Sequence, residues 1–383
     1  MDSDIAVVGA GVVGAATALE LARRGASVAL LEAQEEPALG ASGTNSGILH
    51  TGFDSIPGVL ETKLILRAAE LRDPVLDALA VPVLCCGALM RPLAAGDRRA
   101  IERLAQNARV NGVEATLAGD GSLAVPGEAA TDPVAFTLAL VAAAERHGAT
   151  LRTGFRVEAI ERRRGDLALS EPGGGAVAAR LVVNCAGLGA ARVARSAGDG
   201  SFDVYPRKGE FLVFDPPPEA PLRRILLPVP SESTKGVLVF PTVDGKVVAG
   251  PTAVDQEDPD DLAVRPGARA EILPKAAAMY PPLADLEPIF SYAGLRPAGR
   301  GVNYVIGASP ACPELVNVAA IRSTGLTAAP AIAERVAAIV ADRGIAIGQR
   351  APLERGEPVV AAGPWWRRAA ERRRLVVGED LGL

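Results

Sequence analysis

The chain has 383 residues, a formal net charge of −5 and 49% apolar residues, with Gly and Pro plentiful and aromatics scarce. That length exceeds one small domain and predicts either two domains or one large one with insertions, in an α/β protein rich in tight connections. The acidic balance argues against nucleic acid as a partner but leaves an anionic small molecule open, because local charge decides that. The four cysteines include no CxxC pair, and adjacent Cys85 and Cys86 are badly spaced for a disulfide. No metal site is expected, and the compartment reads as reducing and cytoplasmic.

The N-terminus, MDSDIAVVGAG, is acidic and enters a strand at once, unlike a signal peptide. No apolar run reaches the roughly 18 residues of a membrane span. DIAVV (4–8) predicts a strand, ATALELARRG a helix closing at Gly25, and SVALLE (27–32) a second strand ending in an acid. Between the first strand and the helix stand Gly9, Ala10, Gly11, Val13 and Gly14. This is a dinucleotide-binding unit. Gly9 permits the tight turn, Gly11 lets the backbone approach a pyrophosphate, and Gly14 lets helix and strand pack closely. The helix N-terminus offers free N–H groups to phosphate. Glu32 is placed to accept from ribose hydroxyls and disfavours a 2′-phosphate.

An NAD domain would continue with further βαβ units. Here the chain runs into EEPALGASGTNSGILHTGFDSIPG, rich in residues suited to backbone contact with a polar ligand. Next, LRTGFRVEAI (151–160) alternates like a strand, and IERRRGD (160–166) reads as a hairpin turn with a solvated face. RLVVNCAGLGA (180–190) is a buried run ending in glycines. GEFLVFD, RRILLPVP, GVLVFPTV and KVVAGPT, set off by prolines and glycines, predict an antiparallel sheet. DQEDPDD (255–261) lacks the glycine of a calcium loop and reads as a solvated loop. STGLTAAPAIAERVAAIV starts as a turn and becomes a helix. His147, before Gly148, fits a helix C-terminus.

Taken together, VVGAGVVGAATALELARRG, GASGTNSGILHTGF, LVVNCAGLGA, PRKGEFLVF, FPTVDGKVVAGPTA, YAGLRP and IRSTGLTAAPAIAE resemble the D-amino-acid-oxidase-type family of FAD-dependent oxidoreductases. Within it they most resemble the glycerol-3-phosphate dehydrogenase and L-2-hydroxyglutarate oxidase branch. The resemblance spans residues 4 to 335. It implies a Rossmann-type FAD-binding domain, discontinuous over 1–83, 130–200 and 294–345. A second, α+β substrate domain with an antiparallel sheet would occupy 84–129 and 201–293, followed by a tail, 346–383. It implies FAD contacts from the glycine loop, Glu32, Ala33, Ser42, Thr44, Asn45, Ser46, Gly47, Val157, Ala186 and Gly187. Thr324, Gly325, Leu326 and Thr327 would bring a second helix N-terminus to the flavin ring. Some relatives carry a further iron–sulfur domain; no cysteine follows Cys312 here.

Flavin-dependent oxidation of an alcohol needs a base for the hydroxyl proton and cations for an anionic substrate. His50 is the candidate base, since imidazole titrates near neutrality and relatives place this segment at the flavin. Arg296 in YAGLRP is the candidate anion clamp, offering two parallel donors. Arg322 stands where several relatives carry a cation, and Arg207 and Lys208 form a weaker candidate pair. The expectation is an FAD-dependent dehydrogenase or oxidase of a 2-hydroxy acid such as 2-hydroxyglutarate, or of glycerol 3-phosphate. Oxygen, a quinone or a redox protein would accept the electrons. The alternatives are an amino-acid or secondary-amine oxidase of the same fold and a non-catalytic flavin-binding subunit; a hydrolase is excluded by the lack of a GxSxG elbow. The paired tryptophans and arginines of 365–374 predict a helix docked on the FAD domain. The alternative is a peripheral contact with the inner face of the membrane or with a redox protein.

Overall fold

In the computed structural model, which describes residues 2–163, 165–230, 236–359 and 363–377, the strand Asp2–Val8 is central to a largely parallel sheet. It pairs in parallel with Val28–Leu31 on one side and Ala176–Asn184 on the other. Thr150–Arg152 extends the sheet beyond Val28–Leu31, and Leu315–Ala319 extends it beyond the C-terminal half of Ala176–Asn184. The inner stretches Ile5–Val8, Val28–Leu31 and Leu181–Val183 are apolar because both faces are covered there. Ile5 and Val7 pack under the helices Val12–Ala22, Pro133–Arg146 and Gly325–Asp342. Ala6 and Val8 face the helix Ala190–Ser196.

The expected strand at 151–160 is broken. Only Thr150–Arg152 and Ala159–Arg163 are strand; between them Gly154 takes φ +67°, and Gly154 and Phe155 donate to the carbonyls of Gln34 and Glu32. The bend carries Val157 across the C-terminal end of the parallel sheet. Ala159–Arg163 pairs with Asp166–Ser170 as the anticipated hairpin.

The second sheet is built on Val204–Phe214, which pairs antiparallel with Phe290–Gly299 along its length. Val247–Gly250, Leu238–Pro241 and Ile225–Leu227 follow in antiparallel order. Ile225–Leu227 then pairs in parallel with Ala88–Met90, so segments 84–129 and 201–293 share one sheet. The boundary expected at 294 falls inside the strand Phe290–Gly299. Along Val204–Phe214 the period of two sorts the side chains. Arg207, Gly209 and Phe211 face a large cavity, whereas Leu212 and Phe214 pack on the helix Ala268–Met279.

The tail helix, Trp365–Val377, does not dock simply on the FAD side. Trp365 lies edge-on to Tyr292 with ring centroids 5.9 Å apart, and Trp366 packs on Phe290 while its Nε1 donates to Asp244 at 2.9 Å. Arg368 pairs with Glu36 of the nucleotide side. The helix therefore straddles the second sheet and the segment following Val28–Leu31. Both indoles are buried, so neither is available to a membrane surface; the side chains at 373 and 374 lie outside the described residues. No helix among the described residues is long and apolar enough to cross a membrane.

Trp365, 2% exposed, fills the space between this helix and the sheet. Trp365→Ala is expected to cost about 3–5 kcal/mol, read as a clear fall in the thermal midpoint at fixed scan rate. An unchanged midpoint would show that the helix is not integral to the fold.

Candidate active site

The glycine loop shows why each glycine is needed. Gly9 sits at φ +101°, and a Cβ there would overlap the carbonyl of Cys185. A Cβ on Gly14 would overlap the carbonyl of Gly9, so this glycine acts by packing and does not line the cavity. Ser42 Oγ accepts the first helical N–H, from Val12, at 2.9 Å. Glu32 closes the strand Val28–Leu31; its Oε2 accepts from Ala10 N at 2.7 Å and its Oε1 from Gln34 N at 2.9 Å. Burial pushes the Glu32 carboxyl up, against those hydrogen bonds.

These residues open onto a cavity of about 880 Å³. Its lining includes Glu32, Ala33, Val157 and Arg192, the loop residues Gly9, Gly11, Val13 and Ser42, and His50, Arg207, Arg296 and Arg322. Thr44, Asn45, Ser46, Ala186, Gly187, Thr324, Gly325 and Leu326 also line it. Ala10, Gly47 and Thr327 do not. Ala10 reaches the cavity only through the Glu32 carboxylate that it holds. Gly47 takes φ +76° in a turn, with its N–H on Asn45 Oδ1. Thr327 is fully buried, and its Oγ1 accepts from His50 N at 3.0 Å.

His50 follows the short strand Ile48–Leu49 and is mostly buried, with its ring at the cavity wall. Its Nδ1 lies 3.1 Å from Oε2 of Glu128, a residue with no exposed surface. His147, the other histidine, caps the helix Pro133–Arg146 as expected. Burial and then Arg23 lower its pKa, so the helix C-terminus does not hold it charged.

Arg207 and Arg296 are directly opposed in the ladder of the second sheet. Arg296 lies flat over Gly209, where a Cβ would overlap its Nη2. That nitrogen donates to the carbonyls of Thr252 at 2.6 Å and Lys208 at 3.2 Å, and Nε to that of Arg207 at 3.3 Å. The fork expected to grip an anion is thus partly spent on backbone. Burial first, then Arg207 and Arg322, push Arg296 down to about 10, so it stays protonated at neutral pH. Arg207 pairs with Asp255 at 2.9 Å. Arg322 makes no hydrogen bond or ion pair among the described residues.

Lys208 is corrected. It is 2% exposed and outside the cavity, with Nζ on Asp261 at 2.7 Å and the Ala263 carbonyl at 3.0 Å. The alternation that turns Arg207 inward turns Lys208 out. The run 255–261 is mostly exposed, as a solvated loop should be, yet it is fastened: Asp255 and Asp261 anchor it to Arg207 and Lys208, and Pro259 and Asp260 line the cavity.

A family model described as FAD dependent oxidoreductase, DAO, matches residues 4–339. The chain belongs to the DAO family of FAD-dependent oxidoreductases. It is 29% identical over 346 residues to a glycerol 3-phosphate dehydrogenase of Caloramator mitchellensis, covering 86% of this chain and 72% of that protein. It is 24% identical over 269 residues to an L-2-hydroxyglutarate dehydrogenase of Escherichia coli; that match covers 66% of this chain and 64%, just under two thirds, of the relative. The L-α-glycerophosphate oxidase of Mycoplasma pneumoniae, solved dithionite-reduced with FAD bound, has a TM-score of 0.86 at 25% identity, covering 94% of this chain and 100% of that one.

The cofactor of this flavoprotein is FAD, and the residues present fit it. Side chains are missing where a phosphate must approach, at Gly9 and Gly11. Two helix N-termini point into the cavity, at Val12 and Gly325, neither capped by the side chain preceding it. The cavity volume falls within the range of about 300–1,000 Å³ typical of ligand sites. Sequence reasoning missed Glu128, Gly209, Arg192 and Glu61, which accepts from Thr324 Oγ1 at 2.7 Å. None of the four left a local signal: Glu128, for one, meets His50 only through the pairing of Ile48–Leu49 with Ala129–Thr131. Gly14→Ala is expected to displace the Gly9 turn and to cut the FAD bound per chain by at least about tenfold, read from the flavin absorbance of purified protein. Full occupancy would show that the turn tolerates the methyl.

Proposed function

We propose that this flavoprotein oxidises the CH–OH group of a small anionic hydroxy compound, either glycerol 3-phosphate or a 2-hydroxy acid such as 2-hydroxyglutarate. The observation that carries this reading is that His50 and three arginines line the same cavity as the glycine cradle. The activities named for the relatives support it. Gly9, Gly11 and the N-terminus at Val12 would hold the pyrophosphate, Glu32 and Ala33 the ribose, and Val157 the adenine. Ala186, Gly187 and Thr324 to Leu326 would lie along the flavin ring, with Ser42, Thr44, Asn45 and Ser46 beside it. FAD, when bound, supplies the acceptor for the hydride.

The chain's own part is binding and proton transfer. Burial lowers Arg296 most, and the nearby charges of Arg207 and Arg322 lower it further. An anion among the three arginines relieves the repulsion of their charges, so affinity follows negative charge. His50 takes the proton of the substrate hydroxyl. A substrate whose reacting nitrogen binds neutral needs no such base, which separates this reading from amine oxidation. Oxygen, a quinone or a redox protein completes the turnover. Contact with such a partner through the tail would have to use its arginines.

Anaerobic mixing with hydroxy acids, glycerol 3-phosphate and amino acids, watched at the flavin band, tests the proposal. One hydroxy anion should bleach the band; bleaching by amino acids alone would overturn the reading. His50→Ala should slow that reduction by about 10²–10⁴-fold with FAD retained. Arg296→Ala and Gly209→Ala should weaken substrate binding by about 10–100-fold, as expected for charge-assisted hydrogen bonds, and leave FAD content unchanged. Equal loss of FAD and substrate would make Arg296 structural.

A further inference from the structure

Glu128 is a carboxylate buried to zero exposure beside the cavity, and no arginine pairs with it among the described residues. It precedes the strand Ala129–Thr131, which pairs antiparallel with Ile48–Leu49 in the register Leu49 to Ala129. Continuing that register by one residue places Glu128 opposite His50. Its Oε1 accepts from Thr51 N at 2.7 Å and Thr51 Oγ1 at 2.8 Å, and its Oε2 faces His50 Nδ1 at 3.1 Å. The backbone of His50 is held as well. Its N–H donates to Thr327 Oγ1 at 3.0 Å, and its carbonyl accepts from Arg72 Nη1 at 3.3 Å.

We propose that Glu128 is the positioning residue that fixes His50 in the tautomer with hydrogen on Nδ1, leaving Nε2 bare toward the cavity to receive the substrate proton. This rests on the reading of His50 as the base. A carboxylate only accepts, so the ring nitrogen facing it carries hydrogen. When the substrate hydroxyl gives its proton to Nε2, the O–H bond breaks and an N–H bond forms. The carbon-bound hydrogen leaves with its electron pair to FAD, and the substrate carbon becomes a carbonyl. The imidazolium so formed lies against a full negative charge. Without that charge, the cation would be stranded on a side chain only 14% exposed.

Glu128→Gln is the informative variant because it keeps shape and volume. Its amide oxygen takes the Thr51 N–H, its NH₂ then faces Nδ1, and the ring must move its hydrogen to Nε2. Anaerobic flavin reduction should slow by about 10²–10⁴-fold. FAD content and substrate Kd should stay within about threefold. Added to His50→Ala, the substitution should slow reduction no further, because Glu128 acts through the ring. The tautomer is read independently by ¹⁵N imidazole resonances in the oxidised holoenzyme. The chain has two histidines, and His147→Gln identifies the other signal. Nδ1 should be protonated in the parent and Nε2 in Glu128→Gln.

A normal rate in Glu128→Gln with a slow His50→Ala would overturn the inference and leave the base intact. Rapid reduction in His50→Ala would instead sink the reading of the base. Additive slowing in the double variant, or a parent ring protonated at Nε2, would make Glu128 merely structural.

Discussion

Two guanidinium groups face each other across one rung of a β-ladder, and much of the second sheet is arranged to keep them there. Arg207 and Arg296 are directly opposed, where like charges destabilise a sheet. The surroundings offset that cost piecemeal. Asp255 pairs with Arg207 from outside, while the carbonyls of Lys208 and Thr252 take the Nη2 of Arg296. Gly209 gives up its side chain so that Arg296 can lie flat. Arg322, reached from the other sheet, adds a third positive charge to the same cavity. Such a concentration of cations costs the fold stability, and it accords with the anion site proposed above.

The segment 42–52 is what joins this cationic cluster to the nucleotide cradle. Ser42 caps the first helix, and Thr44 is pressed so closely on the strand Phe290–Gly299 that only a glycine, Gly294, fits opposite it. His50 is tied to the helix Gly325–Asp342 through Thr327 and to Glu128 on the adjacent strand. The segment has little regular structure of its own. Its position is set by contacts with two helices, with the second sheet and with the strand Ala129–Thr131, which is how a loop attains the precision that the proposed proton transfer requires.

The nucleotide-binding half was legible in the sequence because its signals are local. Glycine spacing, a following helix and the terminal Glu32 all fall within forty residues, and the strand, helix and turn appear where that pattern puts them. The cavity also gathers most residues that the family resemblance implied. What stayed hidden depends on long-range register. Glu128 lies 78 positions from His50, and no local pattern marks it. Lys208 was misjudged because it adjoins Arg207 in sequence, although adjacent strand residues point to opposite faces. The anchoring of the acidic run at 255–261 stayed hidden because its partners, Arg207 and Lys208, lie some fifty residues away. The break at 153–158 was masked by an alternation that continues through Gly154 although the backbone does not.

The same alternation in Val204–Phe214 limits how this site can change over evolutionary time. One face of the strand supplies Arg207 and Gly209 to the cavity, and the other holds Lys208 and Glu210, whose carboxylate accepts from the backbone N–H and the guanidinium of Arg265. Point substitutions on the cavity face can retune charge while the outer face keeps the acidic loop in place. A single-residue insertion or deletion upstream within the strand would exchange the two faces. It would turn a buried carboxylate toward the substrate and leave the loop without its anchors. Divergence of substrate preference in proteins built this way is therefore expected to proceed by replacement within a frozen frame, with length changes confined to the connections between strands.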